Sequence, residues 1–347
     1  MDKIYNIRLC KTDELYKLRI FIDNHWKKGH ILCSSDEMFH FQHKNEENDN
    51  FFNFVVAENS VTGEFDGVFG FILSDIYDRS KKVACIKWSA IWKVREDVKN
   101  KEIRSIGLAL FKYVLDFRPE VPYVALGMSE SNIAICKALH FTNGALAHYY
   151  IANEKTTDFR IAKNPLFNIA EIPTNSVNAI HKIDDISSIS DIYNPINPYK
   201  NLEYFNGRYS QHPIYKYDYY GITSDGALKL IIAVRKINIL NTCVLRIVDM
   251  IGSFDDVYSI YNLMQSILQK ENAEYIDCYN SGIEMDHFIN SGFNIVKGDT
   301  IIPDYFEPFE CRNVTLNYAH SSDKNMVIFK GDADQDRPSI IKSVKSV

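Results

Sequence analysis

Residues 123–141 and 275–293 are two stretches of equal length that align without a gap, each opening on Tyr and closing on Phe. The first runs from Tyr123-Val124 to Leu139-His140-Phe141, the second from Tyr275-Ile276 to Ser291-Gly292-Phe293. Each reads as a strand and a short helix, at 123–128 with 132–139 and at 275–279 with 284–289. What precedes them recurs as well. Strands at 52–57, 67–74 and 83–94 lead into a helix at 103–117. Strands at 217–223, 227–234 and 244–250 lead into a helix at 254–269. A strand at 5–9, a helix at 12–24 begun by Thr12, and a last strand at 294–297 complete the pattern. Recurrence of a whole element order predicts a duplicated α/β unit. A chain of 347 residues also exceeds what one hydrophobic core usually supports. The apolar pattern weakens over 158–191, around Pro165 and Pro173, so the expected domains are 1–157 and 158–347.

Composition then narrows the function. Hydrophobic residues make up 46% and charged residues 24%, the balance of an ordinary globular protein. The opening residues lack the pattern of a secretory signal, and the longest apolar runs, such as Ala227 to Val234, are far too short to cross a bilayer. A cytoplasmic protein with no membrane partner is expected. The seven cysteines are scattered and never form a CxxC pair, which fits reduced core thiols. His40 and His43 lack further close ligands, so no metal is expected. The net charge of −6, with only short basic groups such as Lys27-Lys28, argues against nucleic acid as a partner.

The segment richest in chemistry joins the third strand, with Trp92, Lys93 and Val94, to Arg104-Ser105-Ile106-Gly107-Leu108-Ala109. A strand leads through a loop into a helix whose first N–H groups lack intrahelical partners and can bind an anion. Gly107 and Ala109 leave no bulk against an approaching phosphate. The helix terminus adds roughly 0.3–2 kcal/mol to anion binding. In the second half the corresponding helix opens instead with Asp255-Asp256, which would repel a pyrophosphate. Donor binding is therefore expected in the first half alone.

Arg104, Gly107 and Ala109 resemble the acyl-CoA signature of the GNAT superfamily, which is Arg or Gln, two residues, Gly, one residue, then Gly or Ala. The resemblance implies two tandem GNAT-like domains, each a mixed, mostly antiparallel twisted sheet flanked by helices. It implies acyl-CoA as co-substrate, bound by Trp92, Val94, Arg104 to Ala109 and Asn132, with a backbone N–H near Lys93 holding the thioester oxygen. Cys136 stands where the family usually places a Tyr acid, which leaves the general acid open. Four clusters resemble a narrower group, the GNAT-type sugar N-acyltransferases of bacterial surface-polysaccharide (lipopolysaccharide or O-antigen) pathways. They are Trp26 to Leu32, Trp92 to Val94, Arg208 to Tyr215, and Asp334 to Pro338. That resemblance implies a nucleotide-linked, often dTDP-linked, amino-deoxy sugar as acceptor and an acetyl or 3-hydroxybutanoyl donor. The acceptor residues expected are Trp26, Trp88, Arg208, Tyr209, His212, Tyr215, Gln335 and Arg337, with His30 as base. Aromatic faces can stack on a base or sugar, and arginine can clamp a diphosphate. An aminoacyl-tRNA-dependent peptidoglycan aminoacyltransferase and a non-catalytic acyl-CoA sensor stay open as alternatives.

Overall fold

The computed structural model describes residues 4–80, 82–98, 103–167, 179–190, 192–254 and 260–339. The first half runs β1 (Tyr5–Lys11), α1 (Leu15–Phe21), α2 (Ile31–Ser34), α3 (Asp36–His43), β2 (Phe51–Asn59), β3 (Phe65–Leu73), β4 (Lys87–Val94), α4 (Ile103–Asp116), β5 (Tyr123–Leu126), α5 (Glu130–Ala138), β6 (Thr142–Ala145) and β7 (Ala147–Ala152). The second half runs β8 (Ala179–Ile183), α6 (Leu202–Phe205), β9 (Asp218–Ser224), β10 (Ala227–Ile239), β11 (Thr242–Gly252), α7 (Tyr261–Glu271), β12 (Ala273–Ser281), α8 (Met285–Asn290), β13 (Asn294–Ile295), β14 (Asn317–His320) and β15 (Ile328–Phe329). The single helix expected over 12–24 is broken. A 3-10 turn at Thr12–Glu14 precedes α1, and a π turn at Ile22–Trp26 follows it.

Two mixed sheets form, in the orders β1-β2-β3-β4-β5-β14-β6 and β13-β7-β12-β11-β10-β9-β8. Each has one parallel pair, β4 with β5 and β11 with β12, and the other neighbours along both orders are antiparallel. A helix joins the strands of each parallel pair, α4 in one case and α7 in the other. This is the unit that the repeat predicted. The halves nevertheless exchange strands. β7 pairs along β12 from Tyr275 to Asn280, and β14 sits between β5 and β6. Sheet membership thus crosses residue 157 in both directions.

Helix α4 shows why these residues fold as they do. Ile106, Leu110, Phe111 and Val114 recur at helical spacing and are all buried. They pack on Val55, Phe69 and Phe71 of the first sheet. The Lys87 amine satisfies the far end of the helix by donating to the carbonyls of Val114 at 2.8 Å and Arg118 at 3.3 Å. The opposite face of β2 and β3 is covered by Phe21, Leu32 and Phe39 from α1, α2 and α3. Farther along, Ile72, Trp88, Val124 and Leu126 share one core with Ile231, Val248 and Tyr279 of the second sheet. The two sheets are therefore packed as one body.

Candidate active site

The parallel pairing of β4 and β5 covers only Lys87 with Tyr123 and Trp88 with Val124. Beyond that point β4 continues along β3 to Val94, and among the described residues no strand pairs with its other edge. Lys93 lies in this unpaired part, opposite Val68, with its amine bonded to Glu96. Trp92, Phe69 and Phe111 form one stacked cluster, with the Trp92 ring centroid 5.0 Å from each phenylalanine and the two phenylalanines 6.0 Å apart. A Cβ built on Gly107 would sit 3.7 Å from Val94 Cγ2 and 3.9 Å from Trp92 Nε1, which is ordinary contact. The protein's own packing therefore does not require glycine there. Within the signature Ile106 is core, Leu108 is exposed, and Ser105 and Ala109 lie along α4. The Arg104 side chain lies outside the described part of the structure. Asn132 is half-buried in the first turn of α5, where its N–H bonds the Ser129 cap at 3.4 Å. Cys136 is fully buried and burial pushes its thiol up to about 11, which makes it a core residue.

In the second sheet β11 and β12 are registered in parallel from Cys243 with Ala273 to Ile247 with Cys278. Where they part, β15 enters. Asn280 pairs with Phe329 and Ser281 with Ile328, while the Gly331 N–H reaches the Val248 carbonyl on β11 at 2.9 Å. Because β7 already occupies the other edge of Asn280, residues 328–331 must fill the gap between β11 and β12. A Cβ on Gly331 would fall 2.6 Å from the Val248 oxygen and 2.7 Å from Tyr209 Oη, so only glycine fits. Lys200 binds Asp249 at 2.7 Å and also pairs with Asp332, all three side chains being buried. Asp255 and Asp256 lie outside the described residues. The described residues supply a different reason for the halves to differ, namely this filled gap.

Near the open edge lies a cavity of about 380 Å³, lined by Trp26, Lys27, His30, Tyr215, Arg235, Arg246, Asp304, Tyr305, Phe306, Glu307, Lys330, Asp334, Gln335, Arg337 and Ser339. It brings together five of the expected acceptor-side residues: Trp26, His30, Tyr215, Gln335 and Arg337. Gln335 connects the cavity to the first sheet. Its amide donates to the Leu126 carbonyl at the end of β5 at 3.4 Å and to Asp334 at 2.8 Å. Trp26 keeps 47% of its surface exposed while lining the wall. Arg337 bonds Gln42 at 3.1 Å and Asp334 at 3.0 Å.

Several expectations are corrected. His30 is buried, its Nδ1 faces the Leu32 N–H at 3.3 Å, and its Nε2 lies 3.3 Å from Arg337. Burial, then Arg337 and Lys27, push its pKa down to about 2, so it is neutral but a poor proton acceptor. Arg208 does not line the cavity. It is 1% exposed and donates to the carbonyls of Gly331 at 2.9 Å and Ala333 at 2.7 Å and to the Tyr77 hydroxyl at 3.2 Å. It braces the segment that fills the second gap. Tyr209 is buried and bonds Asp249 at 2.7 Å. His212 accepts the N–H groups of Ile214 and Tyr215 at 3.2 and 2.9 Å, which shapes the turn that presents Tyr215. Trp88 is buried in the core shared by the sheets. Burial explains all four, since each is more than nine-tenths enclosed by residues distant in sequence.

The cavity also holds charges that sequence reasoning missed: Arg235, Arg246, Asp304 and Lys330. Arg235 and Arg246 are cross-strand partners on β10 and β11. Arg246 binds Asp277 at 2.6 Å and Asp304 at 3.3 Å; Lys330 pairs with Asp304, and Arg235 with Asp336 at 2.7 Å. A signal existed in the sequence, because Arg246 interrupts the apolar run Val244-Leu245 to Ile247-Val248. A charge inside a buried strand needs partners or a ligand. Among the described residues no group of three or more His, Cys, Asp or Glu side chains could hold a metal, and no helix is long and apolar enough to cross a membrane.

No protein family and no curated protein matches this sequence. Solved structures do match its fold. A GCN5-related N-acetyltransferase from Anabaena variabilis superposes with a TM-score of 0.51 at 9% identity, covering 91% of this chain and 72% of that one. A protein from Enterococcus faecalis, described as of unknown function and a probable N-acyltransferase, gives 0.50 at 8% identity with the same coverage, 91% and 72%. At such identities the likeness establishes fold alone. The chain has a tandem GNAT-like fold of two mixed sheets flanked by helices.

Proposed function

We propose that this chain is a CoA-dependent N-acyltransferase whose acceptor is the amino group of a nucleotide-linked amino-deoxy sugar, dTDP being the favoured nucleotide. The acyl group is acetyl or a short hydroxyacyl such as 3-hydroxybutanoyl. The observation that carries this reading is the junction at Gln335, where a cavity rich in cations and aromatic side chains meets the end of β5 beside the open edge of β4. The shared fold with an N-acetyltransferase adds support.

Acyl-CoA supplies the activated thioester. The chain's own residues fit it at the unpaired β4 edge, where Trp92, Val94 and Gly107 come together. A backbone N–H on that edge stabilises the thioester oxygen as charge develops, a contribution of roughly 3–4 kcal/mol in comparable sites. The amine attacks the carbonyl carbon, a C–N bond forms, the C–S bond breaks, and the proton that the nitrogen sheds passes to the departing thiolate, which leaves as the thiol. The ammonium proton must first be lost. Asp334 is placed to take it, because Gln335 ties its carboxylate to the end of β5, whereas His30 is held neutral and weakly basic. Lys27 and Arg337 on the wall suit a diphosphate, and Trp26 suits a base or sugar ring.

The test is incubation of the protein with acetyl-CoA or 3-hydroxybutanoyl-CoA and a dTDP-linked 3-amino-3,6-dideoxyhexose. Thiol release is followed, and the product is weighed by mass spectrometry. Stoichiometric thiol and acylated sugar are expected. Absence of turnover with any nucleotide-linked amino sugar, in protein that binds CoA, would end this reading.

A further inference from the structure

Two polar atoms in the cavity wall lack hydrogen-bond partners although both are buried: Asp304 Oδ2, an acceptor, and Arg235 Nε, a donor. Their residues are anchored by other atoms. Asp304 meets Arg246 and Lys330 through Oδ1, and Arg235 meets Asp336 through Nη2. Of the buried side-chain atoms without a partner among the described residues, these two belong to residues that line the cavity of about 380 Å³, where a bound molecule can meet them.

We propose that this floor, formed by Asp304, Arg235, Arg246 and Lys330, binds neighbouring hydroxyl groups of the acceptor's sugar ring. The inference rests on the acceptor reading above and says which part of that acceptor lies deepest.

Charge decides against the other chemistries. Three cations, Arg235, Arg246 and Lys330, face three carboxylates, Asp277, Asp304 and Asp336, so the floor is balanced. A phosphate would satisfy Arg235 Nε but set its negative charge against Asp304. An ammonium would satisfy Asp304 Oδ2 but sit among three cations. Either charge would be taken from water into a balanced, buried site at a cost that the single new bond does not offset. A hydroxyl both donates and accepts and brings no charge, so a pair of them meets both unused atoms. Tyr215 lies beside the same site, with the Arg235 guanidinium 4.1 Å above its ring. The diphosphate is left to Lys27 and Arg337, and the amine to the Gln335 side of the cavity.

The experiment titrates the intact protein with two probes, dTDP and dTDP-glucose. In the natural protein the hexose should tighten binding about tenfold or more, the scale of one hydrogen bond to a charged group. In Asp304→Asn that gain should shrink below about threefold while dTDP binds as before, since only the hexose reaches the floor. Near-ultraviolet circular dichroism checks that the variant is folded. If it is not, Arg235→Lys serves instead, because it keeps a cation for Asp336 but removes Nε. Equal affinity for both probes in the natural protein, or equal weakening of both in the variant, overturns the hydroxyl floor and leaves the nucleotide-sugar reading standing. Failure of both probes to bind the natural protein sinks that reading, and this inference with it.

Discussion

In the first sheet the parallel pair parts after Trp88 and Val124, and no described strand enters the gap; in the second it parts after Ile247 and Cys278, and residues 328–331 enter it. Both gaps arise from the same β-helix-β unit. What differs is a piece of chain from far along the sequence, locked in place by Arg208 and by the Lys200, Asp249 and Asp332 cluster. The comparison teaches that a duplicated unit can keep its architecture while one copy loses its opening. The proposed function puts the acyl donor in the open copy. The filling segment continues into Asp334, Gln335 and Arg337, which line the cavity assigned to the acceptor.

The comparison can be broken hardest at Gly331. A Gly331→Val variant drives a side chain into the Val248 carbonyl and Tyr209 hydroxyl, so stability should fall by about 3 kcal/mol or more. Denaturant unfolding measures this, and a loss under about 1 kcal/mol would mean that the segment is not wedged there.

Arg208 and Arg337 sharpen it next. Arg208→Ala strands the buried carbonyls of Gly331 and Ala333, and should lower stability by roughly 3 kcal/mol. Its acceptor KM should stay near the natural value at temperatures where it remains folded. Arg337→Ala should do the reverse, costing roughly 2 kcal/mol of acceptor affinity with donor KM unchanged. Steady-state kinetics with acyl-CoA saturating separates the two. Matching kinetics for the two variants would erase the distinction between brace and ligand contact.

These arginines also show how far the sequence could be read. The units β4-α4-β5 and β11-α7-β12 were legible because each is contiguous and its periodicity is local. The exchange of β7 and β14 was not, since pairing such as Tyr318 with Gly144 or Tyr275 with Ala152 depends on residues far apart in the chain. Arg208 sits among aromatic and polar neighbours in sequence, as a ligand-binding arginine would. Only the fold brings Tyr77 and Gly331 onto it. Conversely, the sequence clusters singled out Trp26, Tyr215, Gln335 and Arg337, which the fold brings to the wall of one cavity. Arg246 and Asp304 were missed because each stands alone in its own segment. His30 does line the cavity, but its basicity depends on burial and on Arg337, neither of which is visible locally.

A smaller effect concerns acid. His30, His43 and His212 are buried neutral, with pKa values pushed down by burial to about 2, about 3 and about 3. Their folded values lie below the unfolded one near 6.5, so the unfolded chain binds more protons as pH drops. Their stabilisation is complete above about pH 6.5 and is lost progressively below it, by about 1.4 kcal/mol per pH unit for each histidine. His212→Asn keeps the acceptor for the Ile214 and Tyr215 N–H groups without titrating. Between pH 6 and 4 its stability should fall less steeply by about that amount. An unchanged slope in urea unfolding would show that His212 is not held neutral.

The central claim, an open first gap and a filled second one, is tested most directly by calorimetric titration of CoA into the natural protein and into Gly107→Glu. One CoA per chain is expected, with no binding to a folded Gly107→Glu, whose carboxylate faces the edge held by Val94 and Trp92. Two CoA molecules per chain, or unchanged affinity in that variant, would contradict it.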